Sequence, residues 1–448
     1  MPRFCGLDIH KKEIQAVLID DAGKVLLRQR FLATSPVILA FAHKHLTPDD
    51  RVALEATTNT WPIVALLQPL VKEVVVSNPM RTKAIAQAKI KTDKVDALVL
   101  AQLLRADFLP NVWIPNEETR RLRQRATERS MLMNDRTRIK NRIHAILHQR
   151  LIEPPTGDLF STENLAWLRG SSIPLEPQGR AALDRQLRLY DALQPELDTV
   201  TQHAAEQAYH NPQTKLLMTL PGVDFCVAEG ILAAFGDFTR FPSADKAASY
   251  LGLVPSTFQS GDHCYHGRIT KQGRSHARWM LVQAAQTAAL HPGPLGAFFR
   301  KLARKKNRNV AIVATARKLA TIAWHMLTNN EPYRYAVPGT IDAKFARLRI
   351  RATGEKRKSG SPKGSPRPAN YGSGGASRAV RGLNEIYQRE GLPVPDQCKP
   401  AELRALQQAG PDVVRHAQEV LVSKRVPRAR AAKAATATTA SKGGNSNQ

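Results

Sequence analysis

The chain has 448 residues, more than one ordinary domain holds, and 42% of them are hydrophobic, enough for real cores. Lys and Arg number 66 against 38 Asp and Glu, a formal net charge of +28. That excess argues against an ordinary metabolic enzyme and points to a polyanion partner, most simply nucleic acid. The four cysteines (Cys5, Cys226, Cys264, Cys398) form no C-x-x-C pair, which excludes a zinc ribbon, a thioredoxin-like site and a disulfide scaffold. The opening stretch has no long apolar core of a signal peptide, and no apolar run reaches membrane-spanning length. The protein is expected in the cytoplasm, acting on nucleic acid there, with no membrane partner.

In chain order, three β-rich runs come first: Phe4 to Ile9, Ile14 to Ile19 and Lys24 to Phe31, divided by His10-Lys11-Lys12 and by the turn signal of residues 20–24. A helix over 36–46, a strand over 51–56, an amphipathic helix from Trp61 to Leu70 and a buried-type strand over 72–79 follow. The next helix runs from Thr92 to Phe108. Three strands followed by alternating helices and strands predict an α/β domain over 1–112, a mixed sheet with helices on its faces. Residues 116–151 predict a long Arg-rich helix ended by Pro154-Pro155, and a second runs from about Gly179 to Tyr209. Together they predict a helical hairpin or coiled-coil arm over 113–210, whose role as a solvated strut, an oligomerising arm or a nucleic-acid contact stays open at this level. Residues 211–345 predict a mostly α third unit. A disordered basic linker is expected over 346–377, a small helical segment over 378–423, and a disordered basic tail over 424–448 that adds salt-sensitive affinity for polyanions.

The chemistry sits in the carboxylates. Asp8 lies in the first strand and Glu55 ends the fourth. Asp93 and Asp96 share one helix face at i, i+3 spacing. If the first and fourth strands are neighbours, Asp8 and Glu55 meet at one edge, and the following helix adds the two aspartates. Four converging acids demand cations. Mg²⁺ or Mn²⁺ takes oxygen ligands, and two such ions can clamp a phosphodiester during in-line displacement.

In the second half, the Leu220-Pro221-Gly222-Val223 turn suits either a phosphate-contacting helical hairpin or a purely structural one, and Asp224 argues against direct phosphate contact. Between residues 259 and 278, Gly261, Gly267 and Gly273 allow tight turns, and Arg268, Lys271, Arg274 and Arg278 supply charge for phosphate oxygens. Ser260, just before the first of these glycines, is a candidate nucleophile, with Ser256 the alternative. His10, His263, His266 and His276 lack metal-ligand spacing.

The stretches GLDIHKK, ALEAT and KTDKVDALVLAQLL, followed by TLPGVDFCVAEGILAAFGDFTRF and ASYLGLVPSTFQSGDHCYHGRITKQGRSHARWML, together resemble the IS110-family transposases over roughly residues 3–330. The resemblance implies an RNase H-like (RuvC-like) first domain whose DEDD tetrad falls on Asp8, Glu55, Asp93 and Asp96. It also implies a serine nucleophile in the second transposase domain, carried onto Ser260. DNA as substrate, a bridge RNA guide and a homo-oligomer (dimer or tetramer) that unites the two sites across protomers follow from the same resemblance. The rival reading is a RuvC-like endonuclease that cleaves branched DNA without rejoining it.

Overall fold

The computed structural model describes residues 2–85, 93–355, 377–396, 398 and 400–427. The chain divides into two compact units, Met1–Asn116 and Glu117–Gln448.

The first unit is built on a five-stranded sheet. β1 (Phe4–Ile9), β2 (Glu13–Ile19) and β3 (Val25–Leu32) form an antiparallel meander. After helix α1 (Ser35–His45), strand β4 (Arg51–Glu55) returns beside β1 in parallel. Helix α2 (Thr60–Leu67) then leads to β5 (Glu73–Ser77), parallel to β4, giving the order β3-β2-β1-β4-β5. Two short connections by α1 and α2 explain why the parallel pairs form: each crossover helix carries an apolar stripe that must lie on the sheet. Cys5, Leu7 and Ile9 of β1, with Val52 and Leu54 of β4, pack against Ile38, Phe41, Ile63 and Val64 of α1 and α2. The opposite face carries Phe4, Val17, Ile19, Ala53 and Val75, and helix α4 (Asp93–Arg105) covers it with Ala97, Leu100, Ala101 and Leu104. A short helix α3 (Pro79–Ile85), absent from the sequence expectations, follows β5.

The second unit is mostly helical. α5 (Glu117–His148) and α7 (Pro177–His210) lie antiparallel: Arg129 of α5 donates to Thr201 of α7 at 3.2 Å, while Ile143 and Leu147 share a core with Leu183 and Leu187. Between them the sequence suggests only a loop, but α6 (Thr162–Arg169) forms there and buries Leu168 in that same core. Next come α8 (Pro212–Met218), α9 (Phe225–Phe235) and α10 (Ala244–Tyr250). They are followed by the hairpin β6 (Pro255–Ser260) and β7 (His263–Ile269), then α11 (Ser275–Ala289), α12 (Pro294–Ala303), α13 (Arg308–Asn329) and α14 (Pro338–Thr353). The sequence reading missed this hairpin, because both of its faces are exposed and polar residues run along each. Gly267, expected to allow a turn, lies instead within β7.

Two further expectations are corrected. α14 carries helix to Thr353, into the stretch expected as linker, and residues 356–376 lie outside the described residues. α13 is long and apolar enough by length and composition to cross a membrane, but Arg317-Lys318 interrupt its apolar run and half of its apolar window is buried, with Leu319, Ala320 and Ala323 in the unit's central core. The small two-stranded sheet of β8 (Ser377–Val380) and β9 (Lys424–Pro427) encloses α15 (Leu383–Arg389), α16 (Pro400–Ala409) and α17 (Pro411–Glu419) in sequence. These three helices fall within residues 378–423 with a strand at each side, and β9 occupies the start of the expected tail. Residues 428–448 lie outside the described residues.

Candidate active-site elements in each unit

In the first unit β1 and β4 run in parallel register, Gly6 beside Ala53 and Leu7 beside Leu54. The next residues on the two strands are Asp8 and Glu55, at their carboxyl ends. Side chains alternate across a sheet, so Asp8 lies on the face of Phe4 and Gly6, and Glu55 on the face of Ala53. That is the face α4 covers. The contact is close: a Cβ on Gly6 would stand 2.0 Å from the Ala97 carbonyl oxygen and 2.7 Å from the Ala101 nitrogen, so only glycine admits the helix here.

The direction of α4 follows from its other end. Gln102 donates to the Gly23 carbonyl at 3.3 Å and Arg105 to that of Asp21 at 3.1 Å. Those residues form the turn after β2, whose Ile19 pairs with Phe4 at the start of β1. α4 therefore runs antiparallel to β1, and its first turn, with Asp96, lies toward the Asp8 and Glu55 end of the sheet. Asp93 opens the same helix, but its side chain lies outside the described residues. His10 Nε2 is 3.1 Å from Asp8 Oδ2, and the Asp8 side chain is 16% exposed. The loop after Glu55 is held by Thr60, whose hydroxyl donates to the Glu55 carbonyl at 3.0 Å and accepts from the Thr57 N–H at 2.7 Å. The three described acids thus share one end of one face. Among the described residues no three His, Cys, Asp or Glu side chains stand close enough to hold a metal ion.

In the second unit Ser260 is the last residue of β6 and pairs with His263 across the two-residue turn Gly261-Asp262, where Gly261 has φ +55°. The serine is exposed at the tip. On its face of the hairpin lie Phe258 and Tyr265, a cross-strand pair, both largely solvent-exposed. The alternative serine differs in circumstance: Ser256 donates its hydroxyl to the Arg268 carbonyl at 3.2 Å. Arg268 is exposed on β7, Lys271 is exposed in the loop beyond it, and Arg274 is half-buried immediately before α11. Arg278 is tied to the fold: it donates to the Leu251 carbonyl at 2.9 Å, and burial lowers its pKa.

Arg274 belongs to a cluster that sequence reasoning did not find. Arg240 lies over the Phe241 ring at 4.0 Å and the Tyr250 ring at 4.3 Å, and donates to the Phe235 carbonyl. Arg123 of α5 donates to the carbonyls of Ala233 at 2.8 Å and Ala234 at 3.4 Å, and to the Tyr250 hydroxyl at 3.4 Å. These arginines satisfy the last carbonyls of α9, whose helix dipole favours cations there. Burial, then Arg274, brings Arg123 down to about 10. Burial pushes the Tyr250 hydroxyl up, but Arg123, Arg240 and Arg274 outweigh it and lower its pKa. No sequence signal distinguishes Arg123 from the other arginines of its helix, because its partners lie more than a hundred residues away.

The Leu220–Val223 turn resolves toward structure. Gly222 has φ +75°, and a Cβ there would stand 2.3 Å from the Ala284 carbonyl oxygen of α11. Asp224, expected to weaken phosphate contact, is the N-cap of α9, accepting from the Val227 N–H at 2.8 Å. The buried Lys344 ammonium donates to the Met218 carbonyl at 2.9 Å and the Leu220 carbonyl at 2.6 Å.

Comparison with known proteins identifies the enzyme class of this chain, an α/β unit followed by a mostly helical one. Residues 5–151 match the family model DEDD_Tnp_IS110, described as a transposase, and residues 214–300 match that of the transposase IS116/IS110/IS902 family. The chain belongs to the IS110-family transposases, enzymes that act on DNA. It is 24% identical over 342 residues to the transposase for insertion sequence element IS1111A of Coxiella burnetii, covering 74% of this chain and 91% of that protein. It is 27% identical over 347 residues to the pilin gene-inverting protein of Moraxella bovis, covering 74% of this chain and 97% of that one. A 43.6 kDa protein of the insertion element IS110 from Streptomyces coelicolor is 26% identical over 394 residues, covering 76% and 97%.

Proposed function

We propose that this transposase cuts and rejoins DNA with two sets of groups, an acidic set on the first unit and Ser260 on the second. The observation that carries the reading is the parallel register of β1 and β4. It sets Asp8 and Glu55 on neighbouring strand ends, on the face whose covering helix begins with Asp93 and Asp96. The sheet order, an antiparallel meander extended by two parallel strands, supports an RNase H-like (RuvC-like) fold for this unit.

Oxygen donors from four carboxylates suit Mg²⁺ or Mn²⁺, and their position in a strongly basic chain fits a cation-binding role. Asp8, Glu55, Asp93 and Asp96 would hold the ions, which when bound supply Lewis-acid stabilisation of phosphoryl oxygens. Ser260 supplies what hydrolysis lacks. Its Oγ attacks a backbone phosphorus and loses its proton, the new P–Oγ bond replaces one P–O bond of the strand, and the departing sugar oxygen is protonated. The phosphodiester energy is then stored in the phosphoserine for rejoining. The exposed Ser260 suits this role better than Ser256, whose hydroxyl is bonded to the backbone. Arg268, Lys271, Arg274 and Arg278 surround that segment with positive charge for DNA phosphates, Arg278 through the groups left free by its bond to Leu251.

The α5–α7 helix pair serves as a coiled-coil arm for oligomerisation or nucleic-acid contact, and the enzyme works as a homo-oligomer, guided by a bridge RNA from its own element, on DNA in the bacterial cytoplasm. The basic C-terminal tail adds nonspecific affinity.

The test uses the purified enzyme with element-end DNA and transcribed flanking RNA, reading joined product and covalent protein–DNA adduct. Asp8→Asn abolishes both. Ser260→Ala abolishes the adduct and the joining. Joining at the parent rate in Ser260→Ala would overturn the serine reading, and cleavage without joining in the parent enzyme would favour the branched-DNA endonuclease. Loss of joining when the RNA is omitted supports guidance, whereas equal joining without it removes that part.

A further inference from the structure

A cleft of about 520 Å³ opens in the second unit between α5, α7, α9 and α14, apart from the Ser260 hairpin and from the Tyr250 cluster. Its volume falls within the range of small-ligand pockets, roughly 300–1,000 Å³. Two kinds of side chain line it. Met133, Leu197, Phe225 and Ile350 give it an apolar interior that includes one aromatic ring. Arg129, Arg136, Arg347 and Arg351 bring four guanidinium groups to the same cleft.

One carboxylate lines the cleft with them. Asp198 accepts from Arg351 at 2.8 Å, and that bond, then one from Gln194, holds its pKa below the usual range. The other hydrogen bonds of these arginines go to neutral groups, and Arg129 also lies within electrostatic reach of Glu229, whose carboxyl burial raises to about 7. Arg129 donates to the Thr201 hydroxyl at 3.2 Å, Arg136 to the Met133 sulfur at 3.3 Å, and Arg347 to the Ala343 carbonyl at 3.2 Å. Arg351 also has a buried Nε with no hydrogen-bond partner. Guanidinium groups gathered around one carboxylate repel one another, and an anion relieves that repulsion. An apolar slot with a ring in it, rimmed by cations, matches a planar apolar group joined to a phosphate.

We propose that this cleft binds a single unpaired nucleotide of a nucleic-acid strand, its base against Phe225, Met133 and Ile350 and its phosphate on Arg136, Arg347 and Arg351. A base inside a stacked duplex cannot enter a pocket of this kind; a base in a single strand or loop can, and stacking on an aromatic side chain is the usual way such bases are held. The proposal rests on the chain's membership of a DNA-acting family and not on the carboxylate or serine chemistry, so a binding assay separates its failure from theirs.

The test measures fluorescence anisotropy of the full-length protein with labelled single-stranded RNA, single-stranded DNA and duplex DNA of one sequence. Two variants are compared with the parent after matching their thermal melts: Arg136→Gln with Arg347→Gln, and Met133→Trp, which fills the cleft and leaves every charge in place. Both are expected to weaken single-strand binding about tenfold, within the range that loss of one stacked base removes, while duplex binding changes less than about twofold. The strand type that loses more affinity identifies whether RNA or DNA supplies the nucleotide. An equal loss for single strands and duplex in the arginine variant would reduce the cleft to a general basic surface and overturn the proposal. Unchanged single-strand affinity in Met133→Trp would overturn it independently.

Discussion

Gly6 of β1 and Ala97 of α4 meet backbone to backbone, with room for no Cβ between them. That contact sets the height of α4 above the sheet, and α4 carries Asp93 and Asp96 in its first turn. The helix can approach no other way, since Ala97 and Ala101 are themselves fully buried small residues on the facing side. The expected consequence is that Gly6→Ala lowers the melting temperature of the first unit, at a cost of about 1–3 kcal/mol for overpacking, and reduces recombination more than stability alone would. Differential scanning fluorimetry and a joining assay on the same preparation check it. A parent-like melting temperature would show that the helix accommodates the methyl group.

The two candidate serines separate by their surroundings. Ser256→Ala removes one hydroxyl bond to the Arg268 carbonyl, so joining should fall no more than about threefold, as for a loss of roughly 0.5 kcal/mol. Phe258→Ala and Tyr265→Ala remove exposed rings beside Ser260, so they should leave the melting temperature unchanged and weaken DNA binding. Electrophoretic mobility shifts and adduct yield provide the readout. Parent-level DNA binding in both ring variants would assign the rings no part in recognition.

Lys344 holds the turn before α9. Its replacement by Met keeps the side chain's bulk and takes the ammonium donor from two carbonyls: that of Met218, and that of Leu220, which keeps the Val223 N–H at 3.3 Å. Leaving the Met218 carbonyl without that donor costs about 1–3 kcal/mol. Lys344→Met should therefore unfold at a clearly lower urea concentration. Equal stability would mean that water replaces the ammonium there.

Two buried groups in the second unit should give opposing pH dependences. Burial raises Glu229 from 4.5 to about 7, against the pull of Arg125 and Arg129. Between those values the folded chain binds more protons than the unfolded one, so this contribution to stability is complete below pH 4.5 and is lost as pH rises through 7. Burial, then His416, Lys344 and Arg300, lowers His291 from 6.5 to about 4. There the unfolded chain binds more protons, and stability is lost as pH falls from 6.5 to 4. The two slopes oppose each other where the windows overlap. Glu229→Gln should steepen the gain in urea midpoint with rising pH, and His291→Gln should expose the decline. Unchanged profiles in both variants would refute the assignment.

The sequence by itself determined the elements whose signal is local. The run Phe4–Ile9 reads as a strand from six consecutive residues, and the long helices on either side of Pro154-Pro155 announce themselves by periodicity and breakers. It also placed Asp8 in the first strand and Glu55 at the end of the fourth, because a strand's limits are set by its own residues and the turn after it. Only the tertiary structure decided the rest. That β4 returns beside β1 depends on a crossover burying Ile38 and Phe41, a pairing across more than forty residues. The β6–β7 hairpin was illegible because exposed strands carry no apolar alternation. Asp224 proved to be a helix cap, Gly222 a packing contact, and Arg123 a partner of carbonyls on a distant helix. In each case the side chain's type was plain in the sequence, but its role depended on which backbone the fold brought within reach.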